Sequence, residues 1–183
     1  MQTLKNLNFN NERAIIRVDF NVPLNNKLEV TDTTRIEAAK QTISYIISNG
    51  GSCVLVSHLG RPKGRDPKLS LANIIETVSM VLGVRVKFSS TCVGEKAEKK
   101  AEQLKPGEVL LMENVRYHNE ETMGDVNFSE QLSRLGTVYV NDAFGTAHRA
   151  HASTTIIAKF FKNKKCFGAL LEKEMKAIDK VLK

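Results

Sequence analysis

Short apolar runs rich in β-branched residues recur along the chain. Between them, apolar positions return every three or four residues. The runs predict strands at 14–18, 53–57, 84–88, 109–113 and 138–142, with a sixth at 166–168. They are nearly continuous rather than alternating, the pattern of strands covered on both faces, as in a parallel sheet. The intervening stretches predict helices. Thr34-Arg35-Ile36-Glu37 reads as a capping box that opens a helix with Ile36, Ala39, Ile43 and Ile46 on one stripe, ended by Gly50-Gly51. Ser70 caps a second helix that ends near Gly83. A short charged helix over 95–104 stops at Pro106-Gly107, and Asn127-Phe128-Ser129-Glu130 opens another that Gly136 closes. Ser153 or Thr154 starts a further short helix, and a last one covers 170–183. Strand–helix alternation without repeats predicts an α/β fold, a three-layer sandwich with a parallel, Rossmann-like six-stranded sheet. In such sheets ligands bind beyond the carboxyl ends of the strands, so the loops after the strands are where chemistry is expected.

Composition narrows the classes. The 183 residues suit one core, and 42% hydrophobic with 26% charged residues argues against disorder. No apolar run is long enough to span a membrane, and the start, Met1 to Asn6, lacks the apolar stretch of a signal peptide, so a cytoplasmic protein is expected. Cys53, Cys92 and Cys166 have neither zinc-site nor redox spacing and read as reduced thiols. The net charge of +7 invites a nucleic-acid-binding alternative. However, residues 159–183 alone hold 8 lysines against 3 acids, and no tryptophan exists to stack on bases. A solvated helix face or a surface for a partner accounts for that segment.

Five of the nine arginines stand at strand ends or at a helix start: Arg17, Arg35, Arg61, Arg116 and Arg149. Any one alone reads most simply as a surface cation or half of an ion pair. Five at equivalent topological positions read as an anion site, because guanidinium groups grip phosphate and carboxylate through paired hydrogen bonds and stay charged. Arg35 also sits where a helix N-terminus favours negative charge. Other signals fail. Gly60-Arg61-Pro62-Lys63-Gly64 is no Walker loop, since no Gly-Lys-Ser/Thr follows. His148 and His151 have a metal-like spacing without the partners that complete a metal site. Glu120-Glu121 reads as part of a solvated loop.

The arginine-bearing segments share an order with one known family. They are Arg17-Val18-Asp19-Phe20-Asn21-Val22-Pro23, Asp32-Thr33-Thr34-Arg35-Ile36 and Ser57-His58-Leu59-Gly60-Arg61-Pro62-Lys63-Gly64, then Glu113-Asn114-Val115-Arg116 and Asn141-Asp142-Ala143-Phe144-Gly145-Thr146-Ala147-His148-Arg149-Ala150-His151. Together they resemble phosphoglycerate kinase, in its amino-terminal, 3-phosphoglycerate-binding half. The resemblance implies a monomeric, two-lobed glycolytic enzyme that moves a phosphoryl group between ATP and the carboxylate of 3-phosphoglycerate, through 1,3-bisphosphoglycerate. Residues 1–169 would form the substrate lobe and 170–183 the start of the interdomain helix. The Mg-ATP/ADP site would lie in a nucleotide lobe that this sequence does not contain. By the same resemblance, Asp19 and Asn21 would address the substrate hydroxyl, with Arg17 and Phe20 beside them. His58, Leu59, Gly60, Arg61, Arg116, His148 and Arg149 would surround the 3-phosphate. Arg35 would face the reacting carboxylate as the catalytic residue, and no metal would bind this half. No nucleic acid or membrane partner is implied. Ile156 departs from the pattern, standing where the family often has glycine, and 158–165 differs from the usual short connection.

Overall fold

The structure, a computed structural model, describes residues 2–146 and 149–181. Six strands, β1 (Arg13–Arg17), β2 (Ser52–Val56), β3 (Val86–Ser89), β4 (Val109–Met112), β5 (Val138–Asn141) and β6 (Lys165–Phe167), form one sheet in the order β3-β4-β2-β1-β5-β6. Every pairing is parallel. The predicted α/β sandwich is therefore present, with each predicted strand in place to within two residues.

The helices are α1 (Thr34–Ser48), α2 (Ile75–Leu82), α3 (Glu95–Glu102), α4 (Asn119–Met123), α5 (Val126–Ser133) and α6 (Ala169–Val181). The predicted stripe of α1 is buried: Ile36, Ala39, Ile43 and Ile46. Its start differs from the predicted capping box by one residue. Thr33 is the N-cap, its hydroxyl donates to Glu37 at 2.7 Å, and Asp32 accepts the Thr34 N–H at 2.9 Å. Asp32, two residues earlier, also accepts the Thr34 hydroxyl at 2.6 Å and so occupies the side chain expected to cap the helix, while the Glu37 N–H goes to the Thr33 carbonyl. Ser70 caps a single 3₁₀ turn, Leu71–Ile74, that runs into α2, and Gly83 ends it in the left-handed region. The predicted short helix after 152 forms a π turn, Ala152–Ile156, followed by a 3₁₀ turn, Ile157–Phe160. The five residues of α4 carry no apolar stripe, and they form a helical turn where Glu120-Glu121 was expected to be a solvated loop.

Alternation along β1 decides the layers. Ala14 and Ile16 face a core with Ile36, Ile43, Ile74 and Val78, on the α1 and α2 side. Ile15 faces the other core, with Leu110, Phe128, Leu132 and Ile157. Arg17 shares the parity of Ile15, so it points down into the second layer rather than up to the rim. The chain leaves β1 toward β2 on one side and β5 toward β6 on the other. The carboxyl ends of β1 and β5 thus flank the switch point where an open parallel sheet leaves a crevice.

Candidate functional site

Three of the five arginines meet at that end of the sheet. Arg61 from the loop after β2, Arg116 from the turn after β4 and Arg149 from the segment after β5 line one cavity of about 300 Å³, with His118, Asn119, Thr122 and His151. The loops that carry them are braced by side chains. Asn21 Oδ1 accepts the Gly60 N–H at 2.8 Å, tying the loop after β1 to the loop after β2. Asn114 donates to the carbonyls of Leu59 and Leu69, both at 2.8 Å, and accepts the Arg116 N–H at 3.1 Å. Gly60 lies in the left-handed region (φ 63°), and a Cβ there would come within 2.7 Å of Leu69 Cδ2, so the tight turn that presents Arg61 requires glycine.

The electrostatics follow from crowding like charges. Burial lowers the Arg116 pKa, with Arg17, Arg149 and Arg61 adding to it. Its Nε is buried without a partner, as is His151 Nδ1. Burial also lowers the His151 pKa, which Glu121 partly opposes. Burial, then Arg17, Arg116 and Arg35, push His58 down to about 2, so its imidazole is neutral at physiological pH. A dianion entering the cavity would relieve this repulsion and give buried N–H groups an acceptor.

The remaining site expectations divide. Arg35 does not line this cavity. It pairs with Asp19 at 2.8 Å and lines a neighbouring cavity of about 300 Å³ that also holds Asp142 and Phe144. His58 feels Arg35 as well as Arg116, so both cavities lie within electrostatic reach of it. Arg17, expected beside the substrate, is fully buried. Its Nε donates to Ser153 Oγ at 2.7 Å, Nη1 donates to the Val18 carbonyl, and Nη2 meets His58 Nδ1 at 3.1 Å. It acts from beneath the cavity because strand parity turns it inward. Phe20 and Leu59 are core residues whose side chains a ligand does not reach. His148 lies outside the described residues. Glu121 is the largest departure. The expected solvated residue is fully buried, its carboxylate accepting the Ser153 N–H at 3.0 Å and the Ser153 hydroxyl at 2.5 Å. His118, Asn119, Thr122 and His151 were not among the expected site residues. Their shared position after β4 and β5 was the signal that could have found them.

Fold and site together define a class: an open, all-parallel α/β protein whose carboxyl rim gathers guanidinium groups around a small polar cavity. The family model for phosphoglycerate kinase matches residues 4–183, and the chain belongs to that family. It is 49% identical to the phosphoglycerate kinase of Moorella thermoacetica over 98% of this chain and 45% of that protein. With the Porphyromonas gingivalis phosphoglycerate kinase it shares 45% identity over 98% of this chain and 49% of that protein. A crystal structure of phosphoglycerate kinase from Pyrococcus horikoshii and a structure of the Coxiella burnetii phosphoglycerate kinase each match with a TM-score of 0.87. Their identities are 31% and 33%, and 44% of each of those chains is covered. The chain thus spans about half the length of the curated relatives it matches. Similar relatives from Arabidopsis thaliana include a cytosolic and a chloroplastic form. Among the described residues no helix is long and apolar enough to cross a membrane. None of these comparisons points to nucleic-acid binding.

Proposed function

We propose that this chain is the 3-phosphoglycerate-binding half of a phosphoglycerate kinase, a cytoplasmic, monomeric enzyme that transfers a phosphoryl group between ATP and the substrate carboxylate. The observation that carries the reading is the convergence of Arg61, Arg116 and Arg149 on one cavity of about 300 Å³. In this reading they hold the 3-phosphate, with His151 beside them, while neutral His58 lies buried against Arg17. Asp19, which accepts both the Asn21 N–H at 3.1 Å and Arg35, addresses the substrate hydroxyl. Arg35, exposed at the start of α1, orients the carboxylate and stabilises the charge that develops as its oxygen bonds to phosphorus. A carboxylate is ionised at neutral pH, so the reaction needs no general base. The Mg-nucleotide site belongs to a second lobe outside these residues. Residues 1–169 form the substrate lobe, and α6 begins the connection between lobes.

Titration calorimetry with 3-phosphoglycerate tests this reading. Binding is expected in the chain itself, and a chain that binds inorganic sulfate as well as it binds 3-phosphoglycerate would refute it. In a version that includes the nucleotide lobe, Arg35→Ala should lower kcat more than it raises KM. A change confined to KM would remove the transition-state role.

A further inference from the structure

The geometry points to Glu121 and Ser153 as positioning residues for the arginine cavity: a buried carboxylate that, through one hydroxyl, holds the Arg17 guanidinium against His58 and so fixes which imidazole nitrogen carries the proton. The inference rests on the proposed reading of that cavity as the substrate site.

The chain of contacts is continuous and buried. Glu121 is fully buried and Ser153 is 1% exposed. The Ser153 hydroxyl has one proton, and it goes to Glu121 Oε1 at 2.5 Å. The hydroxyl oxygen is then free to accept Arg17 Nε–H at 2.7 Å. A guanidinium only donates, so at Arg17 Nη2 the His58 Nδ1, 3.1 Å away, must be the acceptor. The imidazole proton therefore lies on Nε2. Among the described residues no carboxylate stands within ion-pair distance of Arg17. Glu121, one hydroxyl away, is its nearest counter-charge along this chain of bonds.

This chain of bonds holds His58, buried among the arginines, as a neutral imidazole in place of a titrating cation. The charges facing His58 are all positive or potentially so: Arg17 from β1, Arg116 after β4, Arg35 from α1, and His151 before the π turn. None favours a charged ring. Glu121 and Ser153 touch no ligand themselves. They act by keeping Arg17 where it sets the tautomer.

Long-range ¹H–¹⁵N spectra of the histidine-labelled chain test the assignment without any ligand. His58 should show a single Nε2–H tautomer with no titration between about pH 5.5 and 8. Ser153→Ala should admit the second tautomer, move titration toward the ordinary range, and weaken 3-phosphoglycerate binding about tenfold. Ser153→Thr, which keeps the hydroxyl, should restore the single tautomer. Proton on Nδ1 in the unaltered chain, or a tautomer indifferent to Ser153→Ala, overturns the proposal, and the first of these needs no variant to fold. A tautomer that responds in a chain that binds no 3-phosphoglycerate would support the positioning role while removing the substrate assignment.

Discussion

Asp142 closes β5 with a buried carboxylate whose two oxygens fare differently. Oδ1 accepts the N–H groups of Leu170 at 3.0 Å and Leu171 at 3.3 Å, and so caps α6 from a neighbouring strand. Oδ2 is buried without a partner. Burial outweighs the nearby Thr42 hydroxyl and the helix N–H groups and pushes the pKa from the ordinary 3.8 up to about 6. Because the folded value lies above the unfolded one, the protonated acid favours the fold. That contribution is complete below about pH 4 and is lost as pH rises through 6. At 1.36 kcal/mol per pH unit, the interval corresponds to about 3 kcal/mol. Asp142→Asn keeps an oxygen for the α6 N–H groups and removes the ionisation. Urea unfolding followed by circular dichroism, apt for a chain without tryptophan, should compare the two proteins from about pH 4.5 to 8. The gap between them should move in the variant's favour as pH rises, by about 2 kcal/mol of that total between pH 4.5 and 8, while any constant packing offset cancels. His58 and exposed carboxylates such as Asp32, held low by the Thr34 hydroxyl and N–H, shape both profiles alike. Parallel profiles would refute the claim that Asp142 ionises at a cost.

Three further outcomes are expected. Arg61→Ala and Arg149→Ala each remove an exposed member of the cavity and should weaken 3-phosphoglycerate binding about 10- to 100-fold, as lost charge-assisted bonds do, with little change in unfolding free energy. Calorimetry against melting separates the two effects. Glu121→Gln leaves buried Arg17 without its counter-charge and should lower stability by about 3 kcal/mol, read by urea unfolding, whereas an exposed glutamate would cost under about 1 kcal/mol. Gly124 closes α4 at φ 65°, and a Cβ there would overlap the Ala150 carbonyl oxygen. Gly124→Ala should therefore lower stability by at least about 1 kcal/mol and weaken ligand binding by displacing neighbouring His151, seen by melting and calorimetry together.

The sheet was legible because its strands are continuous apolar runs bounded by glycine and polar turns, and period alone distinguishes them from α1. The arginines at the strand ends were legible as a set because their positions repeat with the topology. Which of them reach the ligand was not. Arg17 reads like Arg61 in a list of strand ends, and only the parity that buries Ile15 reveals that it points inward. Glu121 was misjudged because nothing in Asn119-Glu120-Glu121 announces burial. Its partner, Ser153, lies 32 residues away and meets it only when the π turn packs beside α4. Long-range polar pairing of this kind leaves no local period to read.

The cavity at the rim draws on positions from 61 to 151, and the buried guanidinium beneath it extends that span back to 17. No contiguous stretch of chain holds the set, and the groups repel once the sheet brings them together. A bound dianion would thus act as a staple across most of the polypeptide, one that only the finished sheet can accept. At a hundredfold excess over its dissociation constant, such a ligand adds about 2.7 kcal/mol to the unfolding free energy. Metabolite concentration would then set how long this lobe survives heat or protease.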